Sequence, residues 1–145
     1  MTEKNLLVVE NLVKHFPVKD GVLARVAGAV RAVDGISFTI PQGKTLSLVG
    51  ESGSGKTTAG RAILRLIEPT SGSVRFDGAE LTDLTKCQMR SVRKRMQLIF
   101  QDPFGSLNPR MTVQSVLAEA MAAHNIGTRK DRPDKIIELL RLVGL

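Results

Sequence analysis

The apolar residues in the first part of the chain are grouped in the short patterns of β-strands. Residues 6–9 form a continuous apolar run, and residues 36–40 alternate between apolar and polar side chains, which predicts a half-buried strand. Residues 45–49 and 96–100 are two further short, mainly apolar segments, and each is predicted to be a strand. Residues 17–31 contain glycines and no firm period, so they indicate a loop or an irregular hairpin.

Helical spacing becomes prominent farther along the chain. Residues 59–67 and 113–121 place apolar side chains at i, i+3, i+4 and i+7, on one face of a helix, and Thr112 is the predicted N-cap of the second helix. A last helix is predicted over residues 133–143, with proline at its start and glycine after its end. Residues 73–78 alternate and then turn at Asp-Gly, which predicts a small antiparallel lobe. Strands and helices are therefore mixed along the chain, and the predicted fold class is α/β.

Composition narrows the class of protein. The chain has 145 residues, of which 42% are hydrophobic and 24% charged, as in a globular domain rather than a disordered or fibrous protein. Aromatic residues make up 3%, with no Trp or Tyr, which argues against a base-stacking platform for single-stranded nucleic acid. Cys87 is the single cysteine, and the longest uncharged stretches have nine residues, too few to cross a bilayer. We therefore expect a reducing compartment and no membrane span.

Positive charge adds one candidate surface. The chain has 21 basic and 14 acidic residues, a formal net charge of +7. Five of the basic residues lie between positions 86 and 95, on a predicted helix over residues 85–95, with no acid among them. Such a cluster is either a solvated helix face or a binding surface for phosphates, nucleic acid or anionic lipid.

One segment carries specific chemistry. It matches G-x-x-x-x-G-K-[ST] between a predicted strand and a predicted helix, and reads Gly50-Glu51-Ser52-Gly53-Ser54-Gly55-Lys56-Thr57. Its glycines let successive backbone N–H groups turn inward as an anion nest, and the following helix adds its positive N-terminal dipole. Lys56 then reaches the β- and γ-phosphates of a nucleotide, and the Thr57 hydroxyl ligates Mg²⁺. The alternative is a glycine-rich turn with an incidental Lys-Thr. It requires a chance match to the motif, and the probability of such a match in a chain of this length is about half a percent.

Hydrolysis requires further groups, namely an acid that holds Mg²⁺ at a strand end and a group that orients the attacking water. Glu10 follows an apolar run, but it precedes the phosphate loop. Asp102 is separated from residues 96–100 by Gln101, so it is a weak candidate for the Mg²⁺ acid. Gln101 either ligates Mg²⁺ or positions water through its amide, or is simply a polar residue where a strand ends.

Three stretches resemble the ATP-binding subunit of ABC transporters: residues 50–58, residues 68–72 (Glu-Pro-Thr-Ser-Gly) and residues 100–113. The last, Phe-Gln-Asp-Pro-Phe-Gly-Ser-Leu-Asn-Pro-Arg-Met-Thr-Val, is similar to the Q-loop sequence of the oligopeptide/dipeptide importer subfamily. Residues 15–35 resemble one of that system's two paired ATPase subunits, with its extra loop after the first strand. The resemblance extends over residues 6–145.

The resemblance implies a role for individual residues. Phe16 is similar to the aromatic residue that stacks on adenine, with a core phenylalanine as the alternative. Lys56 and Gln101 are the implied catalytic residues, and Thr57 and Gln101 the implied Mg²⁺ ligands. The residues implied to bind ATP are Phe16, Gly50, Glu51, Ser52, Gly53, Ser54, Gly55, Lys56, Thr57, Thr58 and Gln101.

The resemblance also implies an architecture and partners. The expected fold is a P-loop NTPase of the ABC ATPase type, with an antiparallel β lobe and the start of a helical subdomain. Residues 1–103 are the front part of the ATP-binding core, and residues 104–145 are the Q-loop extension and the start of that subdomain. Implied partners are a second ATPase subunit in a head-to-tail dimer, permease subunits contacting residues 102–111 and, indirectly, an extracytoplasmic solute-binding protein, but no nucleic acid. The implied location is the cytoplasmic face of the membrane.

The family's L-S-G-G-Q signature, catalytic glutamate and switch histidine are expected downstream of Leu145. The predicted strand at residues 45–49 then lacks its parallel neighbouring strands. Because its backbone groups and apolar edge are left uncovered, we expect marginal stability and aggregation of this chain expressed alone. The leading hypothesis is an ATP-binding subunit that energises an importer for peptides or similar solutes by binding and hydrolysing MgATP. The alternatives are a fragment that binds ATP or docks on membrane subunits without hydrolysis, and a P-loop protein that acts on nucleic acid through its basic cluster.

Overall fold

The computed structural model describes residues 4–20, 25–100, 102 and 105–145. The elements in chain order are β1 (Asn5–Asp20), β2 (Arg25–Pro41), α1 (Lys56–Ile63), β3 (Ser71–Phe76), β4 (Ala79–Glu80), α2 (Lys86–Arg93), α3 (Val113–Ala123) and α4 (Arg132–Leu142). They fall into two compact units, Met1–Met96 and Gln97–Leu145. This division follows packing, and the functional boundary expected at residue 103 stays a prediction.

The four strands form one antiparallel sheet in the order β2-β1-β3-β4. The apolar run of residues 6–9 is the start of β1, and the alternating residues 36–40 lie opposite it in β2, with Val9 paired to Phe38. The pairing continues to Asp20 and Arg25. The hairpin interpretation is therefore correct for residues 17–20 and 25–31, because both strands extend well beyond their apolar runs, and residues 21–24 lie outside the described residues.

The core of the first unit lies between one face of this sheet and the two helices α1 and α2. Leu12, Val74 and Leu81 are completely buried there, and Val9 is 1% exposed. Ala62 of α1 and Met89 of α2 are packed into the same cluster. The predicted antiparallel lobe is confirmed, since β3 pairs with both β1 and β4.

Two predicted strands are absent from the described structure. Residues 45–49 and 96–100 have no strand assignment, and several of their apolar side chains are exposed, with Val49 at 91% and Ile99 at 94%. No neighbouring strand hydrogen-bonds to either segment among the described residues, and a strand needs such a neighbour to satisfy its backbone. Helix α1 is also shorter than the predicted 59–67, because the chain turns at Arg65, which has a φ of 48°.

The second unit contains the helix pair α3 and α4. Thr112 is the N-cap of α3, and its hydroxyl accepts a hydrogen bond from the Ser115 amide at 3.2 Å, as predicted. Pro133 lies in the first turn of α4, where a missing N–H has no cost. Met121 of α3 and Ile136 of α4 are the buried side chains of this unit. None of the helices in the described ranges has the length and apolarity that a bilayer crossing demands.

The turn between β3 and β4 is stabilised by ion pairs. Asp77 forms ion pairs with Lys4 at 2.5 Å and with Arg95 at 2.6 Å. The hydrogen bond from Lys4, and then that from Arg95, lowers the pKa of Asp77 to about 2. A depressed folded-state pKa contributes stability that is present above the unfolded value and is lost as pH falls toward 2.

We expect Asp77→Asn to lower the melting temperature of the protein slightly at pH 7, because these exposed pairs are screened by water. Asparagine also tolerates the positive φ of 49° at this position, so the substitution changes charge rather than backbone strain. Thermal unfolding from pH 7 to pH 2 measures the difference, which should shrink between pH 4 and pH 2 and also at high salt. A difference that is constant over this pH range would contradict the electrostatic explanation.

Candidate functional site

The glycine-rich loop of residues 50–55 leads directly into the first turn of α1. Gly55 is the N-cap of this helix and has a φ of 93°, in the left-handed region. No side chain caps the helix, and no acidic residue lies in its first turn. The positive end of the helix dipole therefore points into the loop without a side-chain anion to neutralise it.

Gly55 is required by its contacts as well as by its backbone angle. A Cβ at this position would overlap the carbonyl oxygen of Ala32 in β2 and lie 3.8 Å from the Val33 side chain. The loop therefore packs directly against the backbone of the long hairpin. Any other residue here would push the phosphate loop away from β2.

Lys56 lies inside the loop that precedes it. Its ammonium group donates to the carbonyl oxygens of Gly50 at 2.7 Å and Glu51 at 2.5 Å, and to the Ser54 hydroxyl at 3.2 Å. An ammonium group has three donors, and these contacts use all three. The loop thus encloses the ammonium group of Lys56, the residue that the sequence predicts to bind phosphate.

Two cavities flank the loop on the side of β2. One, of about 320 Å³, lies between residues 31–36 and the segment from Leu48 to Gly50. The other, of about 210 Å³, lies between Val30, Arg31 and the start of α1. Gly55 and Lys56 line both cavities. This part of β2 was not predicted from the sequence, because only the register of the hairpin brings it to the loop.

Phe16 is brought to the same region by that register. It pairs with Val30, and opposite residues in an antiparallel pair project from the same face of the sheet. The ring is 40% exposed, and the Lys14 ammonium lies 4.9 Å from its centroid. The ring is not buried in the core, so the structure disfavours the alternative that Phe16 is a core residue.

A charged cluster borders the larger cavity. His15 and Asp34 approach to 3.0 Å, and Arg31 donates to Asp34 at 3.4 Å. The hydrogen bond with His15 is the main cause that lowers the pKa of Asp34, with the charge of Arg31 adding to it. Asp34 is therefore ionised and already paired. Among the described residues it is the single carboxylate lining either cavity.

The loop geometry fits the phosphates of a nucleotide. The glycine cradle and the uncapped start of α1 supply N–H donors to one concave region, and the Lys56 ammonium adds positive charge to it. Thr57 is exposed in the first turn of the helix and lines the smaller cavity, and a hydroxyl group is a suitable ligand for a phosphate-bound Mg²⁺. In the described part of the chain, no group of three metal-ligating side chains forms a separate metal centre.

The predicted Q-loop residue Gln101 lies outside the described residues, so its role stays a prediction. Asp102 accepts a hydrogen bond from the Gly105 amide at 3.1 Å, and its own carbonyl accepts one from the Ser106 hydroxyl at 2.6 Å. These contacts make its carboxylate part of a local turn. The structure therefore gives Asp102 local contacts with Gly105 and Ser106.

Comparison with known proteins agrees with this geometry. The sequence profile of the ABC transporter family matches residues 33–145. The oligopeptide transport ATP-binding protein AppF of Bacillus subtilis is 46% identical over 144 residues, which are 99% of this chain and 44% of that protein. A putative peptide import ATP-binding protein of Brucella ovis is 47% identical over 145 residues, 100% of this chain and 44% of that protein. The chain thus spans less than half the length of these relatives.

Similarity extends to solved structures. The ATP-binding cassette MJ0796, in a dimeric post-hydrolysis state bound to ADP and Pi, has a TM-score of 0.74 and 25% identity, and covers 96% of this chain and 57% of its own. CbiO1 of Clostridium perfringens, part of the ABC transporter complex cbiONQ, has a TM-score of 0.68 at 24% identity, over 99% of this chain and 52% of its own. The fold is thus the α/β fold of the ABC ATPase cassettes. By its profile match, its relatives and its fold, the chain belongs to the ABC transporter family.

Proposed function

We propose that this chain is the nucleotide-binding part of an ATP-binding subunit that energises an ABC importer for peptides or similar solutes. The observation that carries the proposal is the glycine-rich loop with Lys56 enclosed in it at the uncapped N-terminus of α1. An anion at this place receives backbone N–H groups, a helix dipole and an ammonium group together. The triphosphate group of a nucleoside triphosphate is a ligand that uses all three.

The names of the relatives support peptides as the solute class. AppF is an oligopeptide transport protein, and the relative from Brucella ovis is a putative peptide importer. A third relative, GsiA of Pectobacterium atrosepticum, is a glutathione import protein and is 45% identical over 140 residues. Selection among such solutes requires contacts with the solute itself, which an ATP-binding subunit need not make.

Within the proposed function, residues 50–58 hold the triphosphate and Phe16 stacks on adenine. Thr57 and Gln101 hold Mg²⁺, which supplies charge neutralisation at the phosphates when bound. Residues 102–111 contact permease subunits at the cytoplasmic face of the membrane. A head-to-tail dimer with a second ATPase subunit is supported by the dimeric form of MJ0796, and a solute-binding protein acts outside the membrane.

A two-part experiment tests the proposal. First, binding of a fluorescent ATP analogue and of Mg²⁺ to the full-length protein that carries this chain is measured by titration. Second, the protein is reconstituted with its permease subunits in vesicles, and ATP-dependent uptake of a labelled peptide is followed. We expect saturable ATP binding and peptide uptake. Absence of ATP binding would refute the nucleotide site, and ATP binding without peptide uptake would refute the solute class alone.

The adenine role of Phe16 gives a separate prediction. Phe16→Ala removes the ring, and loss of base stacking costs about 1 kcal/mol or more, so we expect ATP affinity to fall at least about fivefold. Phe16→Tyr keeps the aromatic face and should retain the affinity. Titration with inorganic tripolyphosphate is the control, because it lacks a base and should bind equally to all three proteins. Equal losses for ATP and tripolyphosphate would contradict stacking.

A second candidate function is nucleotide binding without hydrolysis by these 145 residues. The specific observation is that Asp34, the carboxylate beside the loop, is occupied by His15 and Arg31. Such a paired carboxylate is not available to orient water. Release of phosphate from ATP by the 145-residue chain, at a rate that Lys56→Ala abolishes, would exclude this candidate.

A further inference from the structure

A further concave site shares no lining residue with the two cavities at the phosphate loop. It is a pocket of about 330 Å³ between the turn after α1 and one face of α2, here named the α2 pocket. Its lining residues are Arg65, Glu68, Lys86, Met89, Arg90 and Arg93. Four cationic side chains and one carboxylate leave it a net charge of +3.

The cations are aligned by the periodicity of the helix. Lys86, Arg90 and Arg93 are spaced i, i+4 and i+7, so they share one face of α2 with the buried Met89. Met89 is 2% exposed and anchors this face to the core. The Thr85–Gln88 capping box fixes the first turn of the helix. Core packing and capping therefore hold the three cations around the pocket, although like charges at this spacing repel each other.

The charge of this face is not neutralised by the protein. Among the described residues, Lys86 and Arg90 take part in none of the ion pairs. Lys86 also lies in the first helical turn, where the helix dipole disfavours a cation. Arg93 donates to the Arg65 carbonyl at 2.5 Å. Because a carbonyl is a neutral acceptor, this contact does not compensate the positive charge of Arg93. These cations repel one another, and a bound anion reduces that repulsion.

The opposite wall is held by hydrogen bonds of Arg65. Arg65 donates to the carbonyl oxygens of Leu81 at 2.6 Å and Leu84 at 2.8 Å, and forms a two-point contact of 3.1 Å with Glu68. Its φ of 48° is rare for a residue with a side chain. Backbone strain of this kind persists where surrounding contacts enforce it, and it is concentrated at binding sites.

We propose that the α2 pocket binds a phosphate-type anion through Lys86, Arg90 and Arg93. The pocket is at the lower end of the range of small-ligand sites, so it fits a single phosphate or diphosphate group rather than a long polyanion. Its guanidinium and ammonium donors match phosphate oxygens, and it contains no aromatic side chain for stacking on a base. The group is supplied either by a soluble phosphate compound or by a phosphomonoester headgroup at a membrane surface.

The test uses the full-length protein with Lys56→Ala, which weakens anion binding at the phosphate loop equally in all the proteins compared, so that a difference between them reports on the α2 pocket. Calorimetric titration with inorganic pyrophosphate is compared for this protein and for the same protein with Lys86→Gln and Arg90→Gln. We expect affinity to fall at least about tenfold on loss of these two charged donors. The matched control is Arg129→Gln with Lys130→Gln, which removes two exposed cations elsewhere and should leave the affinity within about twofold.

A second arm distinguishes the sources of the phosphate. Sedimentation with phosphatidylcholine vesicles, with and without phosphatidic acid, is measured for the same proteins. Sedimentation that needs phosphatidic acid, Lys86 and Arg90 supports a headgroup, whereas binding of pyrophosphate alone supports a soluble compound. Equal weakening by the control pair, or the absence of both kinds of binding, would overturn the proposal. Binding of duplex DNA through Lys86 and Arg90 without pyrophosphate binding would overturn it in favour of nucleic acid.

If the double substitution unfolds the protein, hydrogen exchange of the protein without that substitution still tests where pyrophosphate binds. In the protein with only Lys56→Ala, pyrophosphate should slow amide exchange in residues 65–68 and 86–93. Protection confined to other regions would place the anion elsewhere and refute the α2 pocket as its site.

Discussion

Lys56→Ala should reduce the ATP affinity of the full-length protein by about 10- to 100-fold. The substitution removes the ammonium group that donates to Gly50, Glu51 and Ser54 in the loop. A hydrogen bond to a charged group contributes about 1.5–3 kcal/mol, which corresponds to this range of affinity. The effect has two sources, because the same group supplies charge to the phosphates and holds the empty loop closed.

Titration with a fluorescent ATP analogue measures this loss, and adenosine separates its two sources. Adenosine lacks phosphates, so its affinity should be nearly unchanged in Lys56→Ala if the loop keeps its shape. Lys130→Ala is the matched control, since Lys130 is an exposed lysine outside the loop. An ATP affinity within twofold of the unmodified protein would show that Lys56 does not hold the phosphates.

Gly72→Ala should destabilise the sheet by about 3 kcal/mol or more, the range of backbone strain combined with core disruption. Gly72 lies in β3 opposite an irregularity in β1, where the register shifts between Glu10 and Val13. A Cβ at Gly72 would overlap the carbonyl of Asn11 and lie 2.6 Å from the Cα of Leu12. Relief of this overlap moves Leu12, which is completely buried in the core.

Native-state hydrogen exchange of the β1 and β3 amides measures this loss of stability directly. Gly78→Ala is the matched control, because Gly78 also has a positive φ, 84°, but has open space where a Cβ would be placed. The left-handed conformation alone costs about 1–2 kcal/mol with a side chain. Similar effects of the two substitutions would mean that the backbone angle, and not the contact with β1, explains the requirement for glycine at residue 72.

The secondary structure was predictable wherever it depends on neighbours in the chain. Thr112 caps α3 through a residue three positions away, and Pro133 begins α4 at the position that a proline prefers. The phosphate loop is local for the same reason, since its glycines, Lys56 and the helix start lie within eight residues. Its recognition required no knowledge of the rest of the fold.

The predicted strands at residues 45–49 and 96–100 failed for the opposite reason. An apolar run favours a strand, but a strand exists only when a second strand accepts and donates its hydrogen bonds. Among the described residues neither segment has that neighbour, and Val49 and Ile99 remain exposed. The hydrophobic pattern therefore showed that these segments favour the strand conformation, but it did not show whether they adopt it.

The sequence by itself determined the phosphate loop, the capped helices, the basic face of α2 and the resemblance to ABC ATPases, because each is written in residues close together in the chain. Only the tertiary structure decided which distant residues meet. The hairpin register places Phe16 beside Val30, the glycine at position 55 lies against Ala32, and the turn at Arg65 closes the α2 pocket. Such contacts depend on strand register and side-chain packing between elements, which no local pattern of residues specifies.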